Sequence, residues 1–129
     1  MKKDIDFPKV EGVHVAIAEN DKGWYAFLIN KNNFELQNVM VSTRGYGQLE
    51  NETRSTSVLR HMIGNIDSNA SVVIEPIDPN IFVLNNEFWV SYFIDNKMYD
   101  KKFVFIQGSI NKENFTHIPE LNLKGILHV

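Results

Sequence analysis

The sequence predicts an all-β fold, an antiparallel β-sandwich of immunoglobulin- or fibronectin-like outline with about seven to nine strands. Three observations predict it. Apolar and aromatic residues alternate at period two along short runs. Clusters rich in Gly, Asn and Asp interrupt those runs at spacings of roughly 8 to 15 residues. No long helical crossover alternates with the runs, as a parallel sheet requires. At 129 residues the chain suits one domain spanning 1–129, with residues 1–9 a loose, charged lead-in. A chain of this length buries roughly two-thirds of its unfolded surface, so it needs no disulfide or metal to fold.

The elements follow in order. In Val10 to Glu19, Val13, Val15 and Ile17 share one face and His14, Ala16 and Ala18 the other, which reads as a strand with one buried side. Asn20 to Gly23 is a turn, and Trp24 to Asn30, apolar on both faces, is a second and central strand. A third strand runs from about Gln37 to Thr43 and stops at Arg44-Gly45-Tyr46-Gly47, with Gln48 to Thr53 a polar loop. Residues 54–64 are ambiguous. Val58, Leu59, Met62 and Ile63 have helical spacing and Ser55 can cap, which allows a single short helix near 55–63. The surrounding β pattern favours a strand.

Ile66 to Ala70 is a turn. Ser71 to Glu75 is a strand stopped by Pro76, and Pro76 and Pro79 form a fixed corner. Ile81 to Leu84 is a short strand or a connecting loop, and Asn85-Asn86 turns the chain. Glu87 to Ile110 is the clearest unit: two aromatic, β-branched runs flank Asp95-Asn96-Lys97 as in a β-hairpin. Asn111 to Leu123 reads as mostly irregular, and Gly125 to Val129 as a last short strand. Both faces of the Phe88–Ile94 run are rich in rings. Its second face is therefore expected to be covered, either by a loop such as Asn111–Leu123 or by a partner subunit.

Composition narrows the chemistry. A formal charge of −3 disfavours a general nucleic-acid binder, which needs clustered Lys and Arg. The absence of Cys excludes disulfides, thiolate metal sites and cysteine nucleophiles. Met1-Lys2-Lys3 is followed by Asp4 and Asp6 where the apolar part of a signal peptide should stand, and no apolar run is long enough for a membrane span. The expected setting is cytoplasmic.

Motifs that carry catalysis are missing. His14, His61, His117 and His128 share no metal-binding spacing. Asp67 to Asp78 opens like a calcium loop but has Val72 where Gly is needed and Asp78 where Glu is needed. Ser57, Ser71, Ser91 and Ser109 lack the G-x-S-x-G elbow. Glu35, Glu75, Asp78 and Glu87 are carboxylates that could pair in space. Three N-x-S/T triplets, at Asn51, Asn69 and Asn114, are chance matches in an Asn-rich chain. Trp24, Tyr25, Trp89, Tyr92 and Tyr99 could form a stacking platform, but they lie in apolar strands, and Trp24 and Trp89 are assigned to the core. Arg44 and Tyr46 are the candidate binding residues. Glycines beside them allow close approach, Arg grips phosphate or carboxylate, and Tyr stacks on rings. No catalytic residue, metal site or cofactor is implied.

Three stretches, WYAFLINKNNFELQNVMVSTRGYG, TSVLRHMIGNIDSNASVVIEPI and NNEFWVSYFIDNKMYDKKFVF, together resemble a group of small uncharacterised bacterial β-sandwich proteins along nearly the whole chain. Some members of that group bear the label phenylalanyl-tRNA synthetase alpha subunit. The resemblance implies a β-sandwich and brings no binding residue with it. A synthetase catalytic domain is a longer α+β module with ATP-gripping arginines, whereas the arginines here are Arg44, Arg54 and Arg60, outside any such motif. Aminoacylation is not expected.

The resulting expectation is a non-catalytic binding module acting through a protein partner or self-association as a homodimer. One alternative is a small-ligand binder or enzyme with a rim site near residues 44–47. Another, hinted at by the group's label, is an RNA- or tRNA-associated protein.

Overall fold

Period-two alternation is realised in ten strands among the described residues. The structure is a computed structural model that describes residues 8–129. Of the lead-in expected over residues 1–9, residues 1–7 lie outside the described residues. The strands are β1 (Val13–Asn20), β2 (Gly23–Asn30), β3 (Leu36–Leu49), β4 (Glu52–Ser55) and β5 (Leu59–Ile66). They continue with β6 (Ser71–Pro76), β7 (Asn85–Ile94), β8 (Lys97–Phe105), β9 (Thr116–Ile118) and β10 (Leu123–His128). All pair antiparallel, in two sheets. The first has the order β6-β2-β1-β10-β9. In the second β3 pairs with β7 and β7 with β8, while β4 and β5 share the other side of β3. This is the all-β, immunoglobulin- or fibronectin-like sandwich expected, with the short β4 and β9 adding to the strand number.

Alternation fills the space between the sheets. Val13, Val15, Ile17, Ala26 and Leu28 of the first sheet meet Leu36, Val39, Val41, Phe88, Val90, Tyr92, Phe103 and Phe105 of the second. Each large side chain buried there contributes about 1.5–3 kcal/mol of transfer free energy. The β7–β8 hairpin is the expected one. Asp95 and Asn96 take φ of +49° and +65°, the two left-handed positions of a two-residue turn whose twist suits the strands. The register sets Tyr92 opposite Tyr99, their rings stacked at 5.3 Å.

Several expectations are corrected. β3 does not stop at Thr43 but continues through Arg44-Gly45-Tyr46-Gly47 to Leu49. A side chain at the buried Gly45 would press on Thr56 and Leu84, so glycine there serves packing within a strand and does not end it. The supposed loop Gln48 to Thr53 is the end of β3, a two-residue turn and the start of β4. Its turn residues Glu50 and Asn51 have φ of +50° and +67°.

Residues 55–63 form no helix; β5 pairs with β3 from Leu59 to Ile66. The helical spacing of Val58, Leu59 and Met62 marks no buried stripe, since all three are exposed. Helical structure among the described residues is confined to 3-10 turns at Pro79–Val83 and Lys112–Asn114. The first occupies Ile81–Leu84 and starts at Asp78, whose side chain accepts from the Asn80 N–H. Asn85 and Asn86 begin β7 and do not turn the chain. Residues 111–123, expected to be irregular, hold the second 3-10 turn and β9.

Trp89 is not in the core. It stands on the outer face of the second sheet, 46% exposed, whereas Trp24 is half-buried against Phe82 and Phe115. The segment after residue 111 does not cover the outer face of β7; it lies over the first sheet. There Ile118, with Leu121 and Leu123, packs on Ala16, Ala18, Phe27 and Ile29. β1 is therefore buried on both sides, which accounts for its small residues Ala16 and Ala18 on the outer one. Gly125 is set by the same closeness, because a Cβ there would collide with the Ile17 carbonyl and with Ala18.

A buried amide fastens two of the four places where the described chain crosses between sheets. Asn30 is 1% exposed. Its Nδ2 donates to the carbonyls of Phe34 at 2.9 Å, Asp67 at 3.0 Å and, at 3.5 Å, Ile66. Its Oδ1 accepts from Asn32 N and Nδ2. Asn30→Asp keeps the shape but sets an oxygen against these carbonyls. It is expected to cost about 3 kcal/mol or more, read as a fall in the urea midpoint at neutral pH.

His14 lies on the outer side of the first sheet near the Lys31–Glu120 ion pair, whose charged atoms are 3.1 Å apart. Burial, then the nearby Lys31, holds its imidazole pKa below the ordinary value, with Lys101 adding to the effect and Glu120 opposing it. Glu120 is held low by its own backbone hydrogen bond, then by Lys31. Below about pH 6.5 the unfolded chain therefore binds a proton at His14 more readily than the folded one. This contribution destabilises the fold as pH falls through that value and disappears above it. His14→Gln is expected to flatten the loss of urea-midpoint stability between about pH 7.5 and 5.5, with the wild-type protein as the reference.

Candidate functional site

A break in the edge of the second sheet opens a cleft between the sheets. β4 leaves β3 at the pair Tyr46–Ser55 and β5 rejoins it at Thr43–Leu59. Opposite Arg44 and Gly45 the neighbouring chain is thus off the ladder at residues 56–58. Thr56 pins this short segment to Gly45: its N–H donates to the Gly45 carbonyl, and its hydroxyl accepts from Gly45 N, each at 2.8 Å. The cleft behind it measures about 280 Å³ and is bounded by Thr43, Gly45, Thr56, Ser57 and Leu59 on one side. Glu75, Pro76, Ile77, Asp78, Ile81, Asn86 and Phe88 line the other, with Arg44 and Glu87 at its border.

The carboxylate in this cleft is aimed there by a bulge. The β2–β6 register shifts between Ala26 and Phe27, leaving Ile74 without a partner. A bulge of this kind lets two consecutive side chains share a face. Ile74 joins the core, and Glu75 reaches across to the second sheet. Glu75 Oε1 accepts from the Thr43 hydroxyl at 3.0 Å and meets His61 Nε2. The Glu75 side chain is 11% exposed, and among the described residues its Oε2 has no donor. Asn86, 2% exposed, spends Nδ2 on the carbonyls of Ile81 and Leu84, each at 3.0 Å. These bonds fix the amide orientation and leave Oδ1 without a donor among the described residues. No fully enclosed side-chain N or O of the described residues lacks a partner, so neither free oxygen is fully enclosed. Both belong to residues of the cleft.

Arg44 and Tyr46, the candidates from sequence, are placed differently. Arg44 borders the cleft, but alternation along β3 directs its side chain to the outer face. There its Nε and Nη2 donate to Glu87 at 3.2 and 3.3 Å, and its guanidinium lies 4.6 Å from the Tyr46 ring centroid. Tyr46 is not part of the cleft wall. Of the flagged carboxylates Glu75 and Asp78 share the cleft, Glu87 serves Arg44 on the other face, and Glu35 is exposed. The contributions of His61 and Asn86 escaped sequence reading, because a β-bulge and a sheet-edge break leave no periodic signal. Among the described residues no group of three or more His, Asp or Glu is arranged to hold a metal ion. None of their helices is long and apolar enough to cross a membrane.

The outer face of the second sheet is the other notable surface. Strand register sets Met62 beside Met40 and Met40 beside Ser91, while Trp89 lies between Ser42 and Lys102, and Phe93 beside Met98. Met62 is 79% exposed, Met98 51% and Met40 39%, so exposed apolar side chains are spread over β5, β3, β7 and β8 around Trp89, interspersed with Ser42, Ser91, Asp100 and Lys102. Lys102 lies over the Trp89 ring, 5.2 Å from its centroid, and Asp100 stands one step along the same strand face. Comparison of the chain with protein-family models, with curated proteins and with solved structures finds no match.

Proposed function

We propose that the chain is a non-catalytic binding module that self-associates through the outer face of its second sheet. The observation that carries this reading is the exposed Trp89 among Met40, Met62, Phe93 and Met98, on the face that the described residues leave uncovered. On the equivalent face of the first sheet Ile118 and its neighbours cover Ala16, Ala18, Phe27 and Ile29, while Val73 and Leu127 stay exposed at its margins. Trp, Met and Arg are the residue types enriched at protein interfaces, and unbranched Met side chains adapt to an apposed surface.

A second copy suits the charges of this face. Asp100 and Lys102 lie two residues apart on the outer side of β8. A two-fold axis passing between them, across the strands, brings Asp100 of one copy to Lys102 of the other and sets Trp89 of one copy over Ser91 of the other. The acidic Asp100 and Glu87 balance Lys102 and Arg44, which favours protein over nucleic acid as the occupant.

Sedimentation equilibrium is expected to show a monomer–dimer equilibrium in the wild-type protein. Trp89→Ala should weaken dimerisation by about 30-fold, the loss typical of a central aromatic anchor. Its thermal midpoint should stay near that of wild type at concentrations where both are monomeric, because the side chain packs against no core residue. A wild-type protein that remains monomeric up to roughly millimolar concentration, the range of the weakest specific contacts, would refute the proposal.

A further inference from the structure

We propose that the cleft between the sheets binds a primary alkylammonium group, with Glu75 Oε2 and Asn86 Oδ1 as its acceptors. The polar atoms offered by these two buried side chains are both acceptors, and one carries charge. A carboxylate and an amide oxygen in one cleft, with Asp78 and Glu87 set against Arg44 in its lining, select a donor-rich, positively charged head over an anion, and a charge-assisted bond is the stronger kind. The Thr56 and Ser57 hydroxyls stand at the edge break where the segment 56–58 leaves the ladder.

The remaining wall fixes the body of the ligand. Leu59, Pro76, Ile77, Ile81 and Phe88 are apolar and surround the acceptors, which suits an alkyl chain behind the ammonium head. The volume of about 280 Å³ corresponds to roughly nine waters at ~30 Å³ each. A five-carbon amine fits within it.

The acceptors are also held in advance. Thr43 and His61 occupy Glu75 Oε1 and so present Oε2, while the Ile81 and Leu84 carbonyls hold Asn86 Nδ2 and so present Oδ1. Such preorganisation removes the cost of ordering the site when the ligand enters. The same head group occurs on a free alkylamine and on the lysine side chain of a partner peptide, and both present the same chemistry to the cleft.

Calorimetric titration of the full chain with pentylammonium, pentanol and pentanoate tests the proposal. Saturable one-to-one binding of pentylammonium is expected, at least about tenfold tighter than pentanol, with pentanoate weaker still. Glu75→Gln should weaken pentylammonium by about tenfold or more while pentanol changes little. Should that variant fail to fold, Leu59→Trp provides the check. Leu59 is 51% exposed at the cleft wall, so a larger ring there should block binding and leave the thermal midpoint intact. Tighter binding of N-α-acetyl-lysine amide than of pentylammonium assigns the cleft to a peptide side chain, and weaker binding assigns it to a free amine. Absence of pentylammonium binding, or equal affinity for pentanol, overturns the inference. Neither result bears on self-association, because Trp89 lies on the opposite side of the second sheet from the cleft.

Discussion

The sandwich depends on one buried amide as much as on its apolar seam. Burial of the two inner faces supplies the driving force, yet it is non-directional and says little about where the chain crosses from sheet to sheet. Asn30 supplies that direction. It ends β2, holds the outgoing connection through the Phe34 carbonyl, and holds the return connection from β5 to β6 through the Ile66 and Asp67 carbonyls. Each of these carbonyls would be left unpaired in a low-dielectric setting without it, so the network specifies one arrangement of these two crossings. The bulged register between β2 and β6 that turns Glu75 inward begins only a few residues from this anchor.

The two sheets solve the problem of their outer faces in different ways. Small Ala16 and Ala18 let Ile118 and its neighbours lie close on the first, and glycine at position 125 belongs to the same solution. The second sheet carries Trp89, Met40, Met62 and Met98 in the equivalent positions, where no segment of the described chain reaches them. Small residues on one sheet and large ones on the other are the composition of a covered and an uncovered surface.

Much of this architecture was legible in the sequence, and the misses have physical reasons. The β7–β8 hairpin was plain because Asp-Asn tolerates the left-handed turn and the flanking rings alternate. Central β2 was plain because it is apolar on both faces. Phe88, Val90 and Tyr92 fell where alternation put them. Trp89 did not, since an aromatic on the second face of a strand reads alike whether loop, partner or water covers it. Arg44-Gly45-Tyr46-Gly47 looked like a strand end because glycine usually is one, and only the packing of Thr56 and Leu84 shows why Gly45 belongs inside β3. The cleft depends on a register shift and an edge break, both relations between distant segments, so Glu75 could be named as a carboxylate but not placed.

The pairing of β1 carries a consequence for how the protein is made. One side of β1 is completed at once by β2, which follows it directly, while the other waits for β10, with Val15 opposite His128. During synthesis the first sheet therefore keeps an open edge, with Ala16, Ala18, Phe27 and Ile29 uncovered, until residues 116–128 have emerged. The β7–β8 hairpin, by contrast, can close as soon as Phe105 has emerged. Non-local pairing of this kind slows folding and prolongs the exposure of strand edges, where nascent chains meet chaperones or each other.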